Sequence, residues 1–180
     1  MSNILLNSLR IFYEIPENKQ KLFDTVNNKN NISLRIIDWF ATNYSKKNNT
    51  CFMIYEKDKK KYLDLNYSNP NSKQFNIYYS YKSQLKSYSK KRFDPFCRRD
   101  RIEFCVRNEK IISTLGQLNF FKWAINNLII DFIELNYKEI ENDMNICYNS
   151  IHKIKEKNIR KKRQEISKSA SRGLNTNNIN

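Results

Sequence analysis

The run Gln117–Leu135 (QLNFFKWAINNLIIDFIEL) constrains the fold most, because as a helix it would be apolar on nearly every side. Its polar positions make only a narrow stripe of Asn119, Lys122, Asn126 and Glu134. A helix that is apolar all round is normally buried in a protein core. A membrane span is disfavoured, because Lys122 and Asp131 interrupt the apolar run. We therefore expect a central core helix, capped by Ser113 or Thr114.

Three amphipathic helices are expected ahead of it. Apolar residues recur at steps of three and four from Ile4 to Glu14 and again from Glu17 to Val26. Ser33 can cap a third helix that runs to Tyr44, with an inward stripe of Leu34, Ile37, Phe40 and Ala41. The third of these helices should be well buried.

Strand-like segments lie between the helices. Residues 50–55 and 62–67 are rich in β-favouring residues and flank a polar turn, which predicts a hairpin. Residues 101–106 alternate in polarity and predict a third strand that joins the hairpin. The expected fold class is α+β: a mostly helical single domain with a small antiparallel sheet over residues 1–150. A long basic helix and a disordered, Asn-rich tail are expected over 151–180.

The excess of positive over negative charge is concentrated in two segments. Residues 82–107 carry nine cations against three carboxylates, and residues 153–172 carry nine against two, so together they hold +13 of the net charge of +15. An excess so confined fits a surface for a polyanion better than it fits general solubility. The expected partner is DNA, with RNA as the alternative; no membrane partner is expected.

The first segment belongs to a stretch, residues 75–107, that predicts a binding surface. One face, expected to look inward, repeats at helical spacing through Tyr78, Tyr81, Leu85 and Tyr88. Lys82, Lys86 and Lys90 form a neighbouring stripe. Pro95 should end or kink this helix at residues 93–96. The residues expected to contact phosphates are Lys82, Lys86, Lys90, Lys91, Arg92, Arg98, Arg99, Arg101, Arg107, Lys153, Lys157, Arg160, Lys161, Lys162 and Arg163.

Two alternatives apply to this stretch. Its tyrosines, Tyr78, Tyr79, Tyr81 and Tyr88, would stack on unpaired bases if they were exposed, although tyrosines at helical spacing are more often core residues. Arg98, Arg99 and Arg101 would serve structure if they paired with Asp94, Asp100 and Glu103.

Catalysis and cofactor binding have weak sequence support. Two glycines leave almost nothing for a phosphate-binding loop, and the single histidine, His152, cannot build a triad. We therefore expect no catalytic residues, no cofactor and no metal. Two weaker readings remain: a zinc site from Cys97, Cys105, Cys147 and His152, and a metal-dependent nuclease cluster from Asp94, Asp100, Glu103 and Lys110.

A heptad-like seam follows the core helix. Its members are Ile140, Met144, Cys147, Ile151 and Ile154, with Asn158 at the next position. Such a seam would permit a homodimer, but so few heptads more often mark a helix that docks on its own domain. A virion structural or assembly module is accordingly the second function class.

Five sequence blocks resemble a family of small proteins encoded by large nucleocytoplasmic DNA viruses, the mimivirus and marseillevirus groups among them. The blocks are SLRIIDWF (33–40), TNYSKK (42–47), YKSQLKSYSKK (81–91), FDPFCRR (93–99) and GQLNFFKWAI (116–125). The resemblance implies a viral protein located in the host cytoplasm, at the viral factory, or in the virion. A DNA-binding or packaging role would be natural there, and no catalytic residue is carried over.

Overall fold

A computed structural model describes residues 2–27, 29 and 31–156, with side chains for 4–27, 29 and 31–150. The helices are α1 (Ser2–Glu14), α2 (Pro16–Val26), α3 (Leu34–Trp39), α4 (Ser45–Asn48), α5 (Ile77–Tyr88), α6 (Lys90–Phe93), α7 (Leu115–Asn126), α8 (Ile129–Leu135) and α9 (Tyr137–Glu156). The strands are β1 (Cys51–Lys57), β2 (Lys60–Leu63), β3 (Lys73–Asn76), β4 (Ile102–Val106) and β5 (Glu109–Ser113). The α+β class, mostly helical with a small antiparallel sheet, is confirmed.

The predicted core helix is central, but it is two helices rather than one. Thr114 caps α7 in a capping box with Gln117, as the sequence predicted. The helix then ends at Asn126, because Leu128 adopts a left-handed conformation (φ 57°, ψ 24°) from which α8 starts in a new direction. Leu118, Phe120, Ala124 and Ile129 have no exposed surface.

Helices α1 and α2 cover one side of α7. Leu9, Tyr13 and Leu22 are completely buried, and the Tyr13 hydroxyl donates a 2.7 Å hydrogen bond to the carbonyl of Leu118. Burying the tyrosine without this bond would leave a polar group unsatisfied in the core. Both helices lie where their apolar spacing predicted them.

The third helix is longer than predicted. Ser33 caps α3 by accepting a hydrogen bond from the backbone N–H of Ile36, which confirms the predicted cap. A π-helical segment, Phe40–Tyr44, then joins α3 to α4 without a break. The helix ends only at Asn49, whose left-handed conformation stops it.

The main sheet has three antiparallel strands in the order β2-β1-β3. The predicted hairpin is present as β1 and β2, but its turn is two residues long, since Asp58 and Lys59 both take positive φ (51° and 63°). Phe52 is paired with Phe75 on the neighbouring strand and stacks on Phe132 of α8. This stacking packs the inner face of the sheet against the core.

The predicted third strand was assigned to the wrong sheet. Residues 102–106 do form a strand, β4, but it pairs with β5 in a separate hairpin. The third strand of the main sheet is β3, at residues for which the sequence had predicted no strand. A two-residue turn at Arg107 and Asn108 lets β5 pair with β4. Closing this short loop costs less entropy than bringing β4 to the main sheet would.

Helix α9 docks on its own domain along the described part of the predicted seam. Ile140 is completely buried, and Met144 and Cys147 pack against the core. The indole N–H of Trp39 donates to Asp143 (3.0 Å), and Lys47 forms an ion pair with the same carboxylate (2.5 Å). The side chains of Ile151 and Ile154, and the whole of Asn158, lie outside the described residues. Self-association through this seam stays a prediction.

Within the part of the chain that the structure describes, no helix has the length and apolar character that crossing a membrane requires.

Candidate nucleic-acid interface

Helix α5 separates core residues from cations on two faces. Ile77 and Tyr81 are buried, and Leu85 and Tyr88 are half-buried against the core. Lys82 and Lys86 lie on a neighbouring, exposed face. The helix begins at Asn76, whose side chain accepts a hydrogen bond from the N–H of Tyr79. The spacing of tyrosines and lysines in the sequence had predicted this division.

The helix ends earlier than predicted. The break was expected at residues 93–96, where Pro95 forbids helix. It occurs instead at Ser89, whose φ of 64° cannot continue a right-handed helix. Lys90, Lys91 and Arg92 therefore belong to the separate short helix α6, and Lys90 does not extend the stripe of Lys82 and Lys86.

Phe93 anchors α6 to the core. Its ring has no exposed surface and lies 5.6 to 5.7 Å from the rings of Tyr81, Phe120 and Trp123, measured between centroids. The side-chain amide of buried Asn119 donates a 2.9 Å hydrogen bond to the carbonyl of Arg92. The basic segment is therefore packed against a cluster of aromatic side chains in the core.

Gly116 allows α7 to approach this segment closely. A Cβ atom at this position would lie 3.0 Å from the carbonyl oxygen of Asp94 and 3.5 Å from the carbonyl oxygen of Lys91 and the backbone nitrogen of Phe93. All three neighbours are backbone atoms, which move only with the chain. The blocks 81–91, 93–99 and 116–125, which carry the viral resemblance, therefore meet in one contact.

Gly116→Val is expected to lower the free energy of unfolding by about 1–3 kcal/mol, because the new side chain overpacks a backbone contact. Urea denaturation followed by circular dichroism measures this loss. Ser83→Val, on the exposed face of α5, introduces the same side chain without the clash and serves as the control. Equal losses in the two variants would show that helix propensity, not the close approach, governs the effect.

The loop after α6 holds its arginines outward. The Asp94 carboxylate accepts a 2.9 Å hydrogen bond from the N–H of Phe96, which forms a tight turn. Pro95 is buried, and Phe96 and Cys97 are half-buried. The exposed residues that follow are Arg98, Arg99, Asp100 and Arg101. The apolar residues of the loop thus fix it, while its guanidinium groups face solvent.

Arg107 lies elsewhere in the fold. It occupies the β4–β5 turn with φ 52°, and its guanidinium donates a 3.0 Å hydrogen bond to the carbonyl of Glu14 at the end of α1. The Glu14 carboxylate is 3.8 Å away. A cation at a helix C-terminus is favourable in its own right, so this arginine has a structural role in the hairpin.

The proposed nuclease cluster has other partners in the structure. Lys110 forms a 2.5 Å ion pair with Glu103 across the hairpin, and Asp94 is engaged in its turn. Among the described residues, no three His, Cys, Asp or Glu side chains are grouped so as to hold a metal ion. The four cysteines are free thiols.

Lys46 lies beside the lysines of α5, although it was not among the binding residues predicted from the sequence. Its ammonium nitrogen lies 5.5 Å from the ring centroid of Tyr78, and that of Lys82 lies 6.0 Å from the same centroid. Both distances are within the range of cation–π attraction. The sequence signal was the pair Lys46 and Lys47, which lies just past the predicted helix end at Tyr44.

The whole chain, residues 1–180, matches DUF7197, a family of unknown function. The chain belongs to this family. One curated relative, Uncharacterized protein L507 of Acanthamoeba polyphaga mimivirus, is 40% identical over 150 residues, which cover 80% of this chain and 52% of the relative. The chain thus spans about half the length of that relative. No solved structure matches. The resemblance to giant-virus proteins is confirmed.

Most of the second basic segment of this DUF7197 protein, residues 153–172, lies outside the residues that the structure describes. Lys153 is in α9, but its side chain is not among those described. The remaining predicted contacts lie outside the described residues: Lys157, Arg160, Lys161, Lys162 and Arg163. Their role and the domain boundary at residue 150 stay predictions.

A buried carboxyl group lies behind the basic segment of the DUF7197 chain. Asp38, on α3, is almost fully buried. Burial raises its pKa from 3.8 to about 7, and the negative charge of Asp94 adds to the shift. Asp38 and Asp94 lie in the sequence blocks 33–40 and 93–99, and the charge of the second carboxylate acts on the first.

Proposed function

We propose that this protein binds nucleic acid, in the first place DNA, and performs no chemistry on it. The binding surface, called here the α5–loop surface, consists of the exposed cations of α5, α6 and the following loop: Lys82, Lys86, Lys90, Lys91, Arg98, Arg99 and Arg101. Half-buried Arg92 lies among them. Arg107 is not included, because Glu14 engages it.

One observation carries the proposal. Within residues 81–101, the buried or half-buried aromatic and proline side chains fix the backbone, while seven cations of the same segment are exposed. Because the backbone that carries these cations is already ordered, binding to phosphates costs the freedom of their side chains but not that of the chain. Such contacts position the nucleic acid but do not read its sequence. Binding with little sequence specificity is therefore expected.

The test is a titration against a labelled random-sequence DNA duplex at several salt concentrations, with Mg²⁺ present. Lys82, Lys86 and Lys90 are replaced together by Glu. The triple variant should bind at least about tenfold more weakly at low salt, and its log–log salt slope should fall by about 2.7, or 0.9 for each lost phosphate contact.

A control variant with the same change in net charge distinguishes an effect of this surface from an effect of the overall charge of the protein. Lys57, Lys59 and Lys73 are exposed lysines of the three-stranded sheet, and replacing all three by Glu changes the net charge by the same amount. Equal loss in both triple variants, or no binding by the wild type at low salt, would contradict the proposed surface. Shortened DNA after the titration would instead favour the nuclease reading.

A second candidate, a virion structural or assembly module, has one observation in its favour. Helix α1 exposes Ile4 and Ile11, seven residues apart on one face and 74% and 73% exposed, and Ile15 in the following connection is also exposed. Apolar residues grouped on one exposed face often mark protein contacts. Sedimentation velocity over a concentration series without DNA distinguishes this role, because assembly requires the mass to rise with concentration.

The proposed site of action is the host cytoplasm, at the viral factory, or the virion. What supports it is the mimivirus relative together with the DNA-binding role. Immunogold labelling of infected cells and of purified virions would separate the two locations.

A further inference from the structure

The four tyrosines of α5 have different environments. Tyr81 is buried (8% exposed), Tyr88 is stacked on Phe93, and Tyr78 is half-buried beneath Lys46 and Lys82. Tyr79 is different, because 68% of it is exposed. Tyr79 contacts Tyr78, with 6.0 Å between the ring centroids, but it is the one of the four that leaves most of its surface exposed to solvent.

Tyr79 shares its face of the helix with lysines. Lys82 and Lys86 follow it at steps of three and four, the spacing that places side chains in one row along a helix. Both lysines are exposed, and the row spans about 10 Å at 1.5 Å per residue. An aromatic ring and two ammonium groups therefore form one continuous exposed strip.

The backbone beneath this strip is firmly held. The Asn76 side chain accepts the Tyr79 N–H (3.0 Å), Ile77 is completely buried, and the indole N–H of Trp123 donates to Ser80 (3.0 Å). The backbone carrying Tyr79 is thus fixed before any ligand arrives. Stacking on a side chain whose backbone is already fixed costs less entropy than ordering a mobile segment.

From this strip we infer that α5 binds a single-stranded segment of nucleic acid, with one unpaired base stacked on Tyr79 and the neighbouring phosphates on Lys82 and Lys86. This inference rests on the proposed function and names its substrate class. In a duplex the base faces are covered by their neighbours, so a protruding tyrosine gains nothing there. On a single strand each base offers a free face, and stacking on an aromatic ring is tolerant of sequence.

The test compares a labelled 20-nucleotide oligo(dT) with a labelled random 20-bp duplex. Tyr79→Ala is expected to weaken binding to oligo(dT) roughly 5- to 150-fold, the range known for one stacked base, and to change duplex binding less than twofold. Tyr79→Phe, which keeps the ring, should bind oligo(dT) as the wild type does. Tyr67→Ala, an exposed tyrosine in the loop between β2 and β3, should leave both affinities unchanged.

Two results would overturn the inference while leaving the proposed function in place. One is unchanged oligo(dT) binding by the Tyr79→Ala protein, and the other is an equal loss on both nucleic acids. If the wild type binds neither probe at low salt, the proposed function fails and the inference fails with it. Circular dichroism of each variant checks that the fold is kept.

Discussion

Phe93→Ala should lower the free energy of unfolding by about 3–5 kcal/mol, the usual cost of removing a fully buried aromatic ring. The reason is the position of the ring between Tyr81, Phe120 and Trp123, with no surface exposed to water. Truncation leaves a cavity whose walls belong to two different helices and cannot easily collapse. Urea denaturation monitored by tryptophan fluorescence measures the loss, because Trp123 borders the cavity.

Phe96→Ala is the matched control for this experiment. Phe96 is the same residue type three positions further on, but it is only half-buried. Its truncation should cost less than half as much as the truncation of Phe93. If the two losses were equal, Phe93 would not be the anchor of α6.

Asp38→Asn should stabilise the protein at neutral pH, on the order of 2–4 kcal/mol. The folded protein holds the Asp38 proton up to about pH 7, whereas the unfolded chain releases it near the ordinary value of 3.8. Unfolding therefore releases a proton between these values, and wild-type stability falls as pH rises from about 4 to about 7. Above that range both states are ionised and the penalty stays constant. The amide carries no charge, so the variant should lack this decline.

Thermal or urea unfolding at half-unit pH steps from 4 to 8 measures the effect. Asp64→Asn provides a control of opposite sign. Hydrogen bonds, first of all from Ser72, hold the pKa of Asp64 below its usual value, so its contribution is present at neutral pH and is lost only as pH falls below about 4. A wild-type stability that does not change between pH 4 and pH 7 would contradict the assignment for Asp38.

The sequence was informative where structure follows from local spacing. The inward face of α5, the caps at Ser33 and Thr114 and the buried position of α7 all depend on residues within a few positions of one another. The elements that were missed depend on backbone turns. Ser89 ends α5 and Leu128 divides the core helix, both at positive φ. Serine and leucine rarely adopt positive φ, whereas glycine adopts it readily, so the sequence gives no signal for these two turns.

The site was predictable only in part for a related reason. Lys82 and Lys86 followed from helical spacing, but Lys46 joins them only because α4 packs beside α5 in three dimensions. Arg107 was included because it lies in the basic segment, yet the β4–β5 turn carries it to the end of α1. Distance along the chain does not tell which cations share a surface.

The anchoring of α6 also bears on how this protein can change over time. In the four residues Lys90–Phe93, the buried ring stabilises the fold, while Lys90 and Lys91 point outward. Because these tasks belong to different side chains, natural variation can add, remove or reposition surface charge without endangering the fold. A change of charge at Lys90 or Lys91 therefore alters what the segment presents to solvent without altering the architecture that carries it.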